Sequence, residues 1–552
     1  MLYLGVFLGI FALVILFFIV KNRQTEAKEK ERAVSKWGKI KTETFDFKLV
    51  AALHHFLDKK EGNISDQTAV DIDLEEMFEF VDRTNSKPGQ QYLYHLLNRP
   101  QKTVQPLIEL DELVFRFQDP SIRLAAETAL LRLSHKNAYY LYELLSPFQS
   151  LYTQWLAIYI RFAGVFWMAS LAMSIIYKNQ WMFVTFLGIT FLNFYLHLGN
   201  KRKVSSYVHS LPQLHALLQV AEKLRKLVVL PENVLLEKCL RDLERLKRTL
   251  RYVNFEDNIN RDPSDITSGI WELIKTVLLV EPGMFLVSVN QVNRNRSQIE
   301  CIFKYVSRID IAISIQSLRL SLPFYARPQF EHGTEIDVQS LYHPLVEGCV
   351  SNSINVSSHQ GVLITGSNMS GKTTFIRSVA INALLSQTLF TACAQSYRAP
   401  MLEIFTSIRV SDDLHEQKSY FQAEALSVLE ILQKSELAEH SLIIIDEIFR
   451  GTNTIERVAA AKAILSYFNA KGRFIFVSTH DLELAEFLGT EFSVYSFEEV
   501  IAEQRLEFDY KIRPGVLKNK NGIAILAALG YPESIITDAR HISQLMADKY
   551  KV

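Results

Sequence analysis

Residues 361–373 read GVLITGSNMSGKT, and this stretch decides the architecture of the C-terminal part of the chain. A short β-rich run is followed by Gly366, Ser367, Asn368, Met369, Ser370, Gly371, Lys372 and Thr373. Thr374 comes next, and a helical pattern then runs from Phe375 to Leu389. This is G-x-x-x-x-G-K-T in the strand, loop, helix order that a phosphate loop requires. The glycines let backbone N–H groups curve round phosphate oxygens. Lys372 can neutralise charge at the β and γ positions, Thr373 can hold Mg2+, and the N-terminus of the following helix favours an anion.

The second half of such a site is expected about seventy residues on. Ser441, Leu442, Ile443, Ile444, Ile445, Asp446 and Glu447 form a continuous apolar strand ending in two carboxylates, as a buried parallel strand delivers side chains to its C-terminal edge. Asp446 is expected to complete a Mg2+ shell through water, and Glu447 to orient or deprotonate an attacking water. A third strand, Arg473 to Ser478, ends at Thr479 and His480, which places His480 to sense a γ-phosphate. No base-reading N/T-K-x-D element follows the loop, which disfavours a small GTPase; the cleft position favours a hydrolase acting on ATP.

The chain has 552 residues, enough for about three or four folding units. With 48% apolar and 22% charged residues it is no disordered polymer. Its 60 basic and 60 acidic residues cancel, so any nucleic-acid contact must come from a local patch. Cys239, Cys301, Cys349 and Cys393 are widely spaced, with no C-x-x-C pair to hold zinc, and fit a reducing cytoplasm.

Some segments have lipid as their expected solvent. Residues 2–20 carry no charge across 19 positions, about 28 Å as a helix against a hydrocarbon core of about 30 Å. The run ends in Lys21, Asn22 and Arg23, which predicts an uncleaved anchor over 1–22. A second apolar region, 162–198, is interrupted only at Lys178, Asn179 and Gln180. Arg161 and the Lys201, Arg202, Lys203 cluster bracket it on one side, as expected of a hairpin entering and leaving from the cytoplasm. A buried hairpin in a soluble core is the alternative; Trp167 and Trp181 look interfacial. The expected setting is a cell membrane, multi-pass, with the nucleotide domain cytoplasmic.

Between these segments the pattern is helical. Residues 23–70 read as a linker and helical segment, 71–325 as a helical domain interrupted by 162–198, and 326–552 as the nucleotide domain. Residues 238–251 hold the best basic patch, with Lys238, Arg241, Arg245, Lys247, Arg248 and Arg251. A solvated helix face is its commoner meaning.

Together these motifs resemble those of the MutS family, the ATPases of DNA mismatch repair and their relatives. TGSNMSGKTT resembles the family's TGPNMGGKST, departing at Ser367, Ser370 and Thr373. DEIFRGTNT at 446–454 resembles DEIGRGTST, with Phe449 and Asn453 as departures. FTSIRVSDD at 405–413 matches an F-T-R-I-G-A-S-D-D segment, and Ser419, Phe421 and Glu424 match S-T-F-x-x-E, with Tyr420 departing. Ser478, Thr479 and His480 resemble A-T-H, while His343 and Pro344 with Asn352 resemble R-H-P…N. Tyr510 to Gly515 and 522–532 resemble the continuation of that ATPase domain. Upstream, Leu74, Phe78, Asp82, Arg83, Thr84 and Gly89 resemble the opening of the family's helical core.

The resemblance implies a multidomain protein: an all-helical core or lever domain, here with transmembrane segments, followed by an α/β P-loop ATPase domain of ABC type. It implies ATP and Mg2+ bound between the two subunits of a homodimer. Ser419 of one subunit would reach the phosphate held by Lys372 of the other, and His343 and Pro344 would lie at the nucleotide. It also implies double-stranded DNA as partner. Only 70 residues precede position 71, and no Phe-x-Glu element appears there in a fitting domain, so mismatch recognition of the usual kind is not expected; nor is a C-terminal nuclease-like domain. The expected whole is a bacterial, membrane-anchored ATPase of slow turnover. Two alternatives stand beside it: an ABC-type transport or remodelling ATPase, and an ATP-gated scaffold that does not act on DNA.

Overall fold

A computed structural model describes residues 30–31, 34–57, 62–146, 153–203, 205–248, 250, 273–274, 276–331, 333–367, 369–409, 420–449, 453–502, 505–516, 523, 526–527 and 530–550. The apolar run 2–20, Arg251, Asn368 and Ser419 lie outside the described residues. The chain divides into two compact units. One comprises residues 1–58, 82–95 and 113–317; the other comprises 59–81, 96–112 and 318–552. The first is helical and the second holds both sheets. Residues 59–81 and 96–112, read from sequence with the helical part, thus cluster with the nucleotide domain.

In the helical unit, α1 (Gln154–Tyr177) and α2 (Gln180–Lys203) form a hairpin, followed by α3 (Ser205–Leu227); α4 (Arg296–Ser321) belongs to this unit through Ser317. The hairpin turns at Lys178, which has φ 47°, and the Asn179 side chain caps α2 by accepting from the Trp181 N–H at 2.8 Å. Helix α1 starts seven residues before the expected bracket, so Arg161 lies inside it. Trp167 Nε1 donates to Thr190 Oγ1 at 2.9 Å, and Tyr159 Oη donates to Asn193 Oδ1 at 2.6 Å. The polar groups thus face inward, while Phe166, Met168, Ile175, Phe183, Val184 and Phe191 are exposed. Among the described residues α1 alone is long and apolar enough to cross a membrane. Helix α2 ends in the polar run Asn200 to Lys203.

Two buried carboxylates organise the rest of this unit. Asp82 accepts from Lys41 Nζ at 2.7 Å, the Thr84 N–H at 2.9 Å and Gln90 Nε2 at 2.6 Å. Asp310 on α4 accepts from the Ser86 hydroxyl at 2.6 Å and from the N–H groups of Asn85 and Ser86 at 2.8 Å. Ser86 in turn caps the helix Lys87–Leu97 by accepting from the Gly89 N–H at 3.0 Å. Burial pushes the Asp310 carboxyl up to about 6 against these donors. In the basic patch Arg241, Lys247 and Arg248 face Glu237, Glu222 and Glu244, so three of its charges are locally compensated.

In the other unit a six-stranded sheet has the order β10 (Arg505–Pro514), β9 (Phe492–Ala502), β4 (Gly361–Gly366), β8 (Phe474–Thr479), β7 (Ser441–Asp446), β6 (Glu403–Ser407). All neighbours are parallel except β10 with β9. The runs GVLITG, SLIIID and FIFVST are apolar on both faces because both faces are covered, and β4 and β8 are buried at every position. The covering helices include α5 (Lys372–Leu389), α6 (Tyr420–Ser435) and α7 (Thr454–Ala470). Ile443, Ile475, Val477, Leu465 and Phe468 belong to one core cluster. A second sheet, β1 (Gln329–Phe330), β5 (Ser396–Ala399), β2 (Glu335–Leu341), β3 (Asn352–Ser357), shows the in/out alternation of a half-covered sheet in β3.

Candidate active site

The C-terminal ends of β4, β7 and β8 lie side by side, with Thr365 opposite Thr479 and Asp446 opposite Ser478. The chain leaves β4 through Gly366, whose φ is 150°; a Cβ there would meet the Phe497 carbonyl oxygen at 2.9 Å, so only glycine lets the loop turn so close to β9. Met369 has φ 70° and is exposed at the loop tip. Ser370 is buried, Gly371 leads into α5, and Thr374 follows on its first turn. Lys372 Nζ donates to the carbonyls of Gly366 at 2.8 Å and Ser367 at 2.7 Å. The ammonium therefore lies across the loop, held by the backbone it must serve.

Thr373 and Asp446 come together as the spacing predicts: Thr373 Oγ1 donates to Asp446 Oδ2 at 3.0 Å. The other oxygen, Oδ1, accepts from the Ser478 hydroxyl. A hydroxyl and a carboxylate in contact at the mouth of a phosphate loop are the hard oxygen set that suits Mg2+, which takes one or two protein ligands and completes its shell with water and phosphate oxygens. The donors present therefore fit the ion, with Thr373 and Asp446 as the residues that would hold it.

Glu447 follows in a left-handed conformation, φ 56°, its N–H donating to the Ser478 carbonyl at 2.9 Å. His480 Nε2 lies 2.7 Å from Glu447 Oε1. The histidine expected to sense phosphate thus faces the carboxylate expected to work on water. Beyond it, Phe449 also takes a positive φ, 65°, at the position where the family motif has glycine. Two contacts hold this strained backbone: the Phe449 N–H donates to the buried Glu424 carboxylate, and its ring lies 5.5 Å from that of Phe421. This explains how a bulky residue occupies the place.

His343 is buried, with Nδ1 accepting from the Leu345 N–H at 3.3 Å. Burial, then the nearby Arg377, press its pKa down to about 4. Pro344 follows in a turn. Asn352 bridges β3 to β10, donating to the Tyr510 carbonyl at 3.0 Å and accepting from the Ile512 N–H at 2.9 Å. It sits where β10 shifts register between Phe508 and Ile512.

Sequence reasoning passed over two groups near this site. Arg457 pairs with Asp481 through two bonds of 2.9 and 2.7 Å, one residue beyond His480. Asp71 and Asp73 bind Ile408, Arg409 and Arg377. The first could have been sought at a strand end. The second joins residues more than three hundred positions apart and leaves no local pattern.

Residues 362–547 match MutS domain V. The chain is 31% identical to the DNA mismatch repair protein MutS of Thermus aquaticus over 275 residues, 48% of this chain and 33% of that protein. It is 30% identical to the protein of the same name from Caldanaerobacter subterraneus over 299 residues, 51% and 34% of the two chains. A third, from Lactobacillus delbrueckii, is 34% identical over 226 residues, 39% of this chain and 26% of its own. The chain thus spans between about a quarter and a third of the length of these curated relatives. The MutS-like portion contains the phosphate loop, Asp446, Glu447 and His480, whereas His343, Pro344, Asp71 and Asp73 precede the domain V match.

Proposed function

We propose that the chain is a MutS-like ATPase held at a membrane, which binds ATP with Mg2+ between two copies of itself, hydrolyses it slowly and couples the cycle to double-stranded DNA on the cytoplasmic side. The observation that carries the ATPase reading is the meeting of Thr373 with Asp446, and of Glu447 with His480, at one edge of the sheet beside the phosphate loop. Loop N–H groups and the first turn of α5 bind the phosphates, and Lys372 offsets their charge. Glu447 holds the attacking water and accepts its proton, while His480 fixes the orientation of that carboxylate. Bound Mg2+ would neutralise charge that develops on the phosphate oxygens.

The DNA partner rests on the relatives' description as DNA mismatch repair proteins; the paired charges around Arg241, Lys247 and Arg248 lend it little further support. The dimer rests on the resemblance of the Ser419 segment. The multi-pass setting in a bacterial cell membrane rests on the charge-free run 2–20 and the exposed apolar surface of the α1/α2 hairpin.

The test is ATP turnover by the full chain in detergent with Mg2+. Wild type should turn over and Lys372→Ala should not; equal rates sink the reading. DNA retention by wild type and Glu447→Gln, with and without ATP, then tests the coupling. Retention that rises with ATP supports it, and indifference to DNA favours a remodelling ATPase or a scaffold.

A further inference from the structure

A carboxylate far upstream of the phosphate loop binds the helix that follows the loop. Asp73 Oδ2 accepts from Arg377 Nη1 at 2.9 Å. The same carboxylate takes both terminal nitrogens of Arg409, Nη1 at 2.5 Å to Oδ1 and Nη2 at 3.1 Å to Oδ2. Arg377 stands one helical turn beyond Thr373 on α5, so it shares a face with the hydroxyl that meets Asp446. Arg409 lies two residues past the end of β6. Two positions before Asp73, the buried Asp71 accepts from the backbone N–H groups of Ile408 at 3.0 Å and Arg409 at 2.8 Å, and Gln67 Nε2 donates to the Arg409 carbonyl at 2.6 Å. Residues 67–73 therefore hold both the exit of β6 and the second turn of α5.

The arrangement is costly to leave incomplete. Arg377 has 16% of its side chain exposed, and burial and the neighbouring Arg409 both lower its pKa, against Asp73, Asp71 and Asp446. Without Asp73 two guanidinium groups would face each other with less carboxylate between them, and a partly buried charge left this way moves or drags its helix. The backbone is also shaped for the task. Asp73 has φ 53°, a conformation that Asp and Asn adopt more readily than other side chains, and its carbonyl accepts from the Met77 N–H at 2.9 Å.

We propose that Asp73 is a positioning residue for ATP hydrolysis: its carboxylate holds Arg377 and Arg409 so that α5 keeps Thr373 in register with Asp446. This rests on the ATPase reading above. It assigns part of the site's alignment to residues that precede the domain V match by almost three hundred positions.

The experiment measures kcat and KM for ATP, and ADP affinity, on the full chain in detergent for wild type, Asp73→Asn, Arg409→Gln and the double variant. Asn keeps the left-handed backbone accessible and removes only the charge; Arg409 is half-exposed, so its loss should not unfold the protein. The expected result for Asp73→Asn is a kcat lower by about 10- to 100-fold with ADP affinity within about threefold of wild type. The double variant should lose less than the product of the two single losses. A kcat within about twofold of wild type, parallel loss of ADP binding, or multiplicative effects in the double variant each overturn the proposal. If wild type shows no turnover that Lys372→Ala abolishes, it is the ATPase reading that fails.

Discussion

His480 Nε2 lies 2.7 Å from Glu447 Oε1, joining the ends of two adjacent parallel strands, β8 and β7. The carboxylate is thus aimed from two sides, by its own left-handed backbone and by the imidazole. Glu447→Gln should lower single-turnover ATP hydrolysis by at least about 100-fold while nucleotide binding persists, because it removes proton acceptance and leaves the phosphate loop whole. His480→Gln should cost about 10-fold, and the pair of substitutions little more than Glu447→Gln alone. Equal losses from both single variants would mean that His480 acts directly on phosphate.

The strand ends were legible in the sequence because their information is local. A run such as SLIIID is apolar at successive positions only when both faces are covered, and Asp446 and Glu447 then fall at its carboxyl edge. The Gly366 turn and the Lys372 helix start are likewise written in adjacent residues. The hairpin was legible as apolar stretches but not in its length: α1 extends back to Gln154, taking in Arg161 and the inward-facing Tyr159. Least legible was the Asp71 and Asp73 grip. Asp71 binds backbone N–H groups, which any residue type supplies, at a separation of 337 positions.

Asp310 and Gly89 make a tight anchor in the helical unit. A Cβ at Gly89 would lie 2.2 Å from Asp310 Oδ2 and 2.8 Å from its Cβ, and the buried carboxylate cannot retreat without releasing Ser86 and Asn85. Gly89→Ala should therefore destabilise the protein by about 1–3 kcal/mol. Thermal melting of the full chain in detergent checks this, and an unchanged melting temperature would show that the anchor gives way freely.

Acid should act on the other unit through His343. Its imidazole is held neutral by burial, and its Nδ1 already accepts from the Leu345 N–H. The unfolded chain takes up this proton near pH 6.5, the folded chain only near pH 4. Through that window the unfolded state binds more protons, so stability falls as the pH falls from 6.5 to 4, by up to about 3 kcal/mol from this group. His343→Asn offers an oxygen in place of Nδ1 and should flatten the difference. Chemical unfolding of wild type and variant at several pH values isolates it, and identical slopes would remove His343 from the account.

The hairpin tip gives a direct test of the proposed membrane setting. Helix α1 has 24 residues, about 36 Å at 1.5 Å per residue, enough for a hydrocarbon core of about 30 Å. Its inward hydrogen bonds, Trp167 to Thr190 and Tyr159 to Asn193, leave an outer surface of Phe, Met, Ile and Val, the arrangement in which lipid is the better solvent for the outside and the paired polar groups bind the helices together. On the proposed membrane setting, Lys201 to Lys203 at the far end of α2 would keep the base on the cytoplasmic side, and a hairpin that crosses would carry its tip outside. Lys178 is needed in its left-handed turn and Asn179 as a cap, so the probe belongs at the exposed Gln180. Gln180→Cys in intact cells should react with a membrane-impermeant maleimide applied from outside. Labelling that appears only after the membrane is opened would mean that the tip stays within the bilayer or on its inner side, and that the hairpin is embedded without crossing.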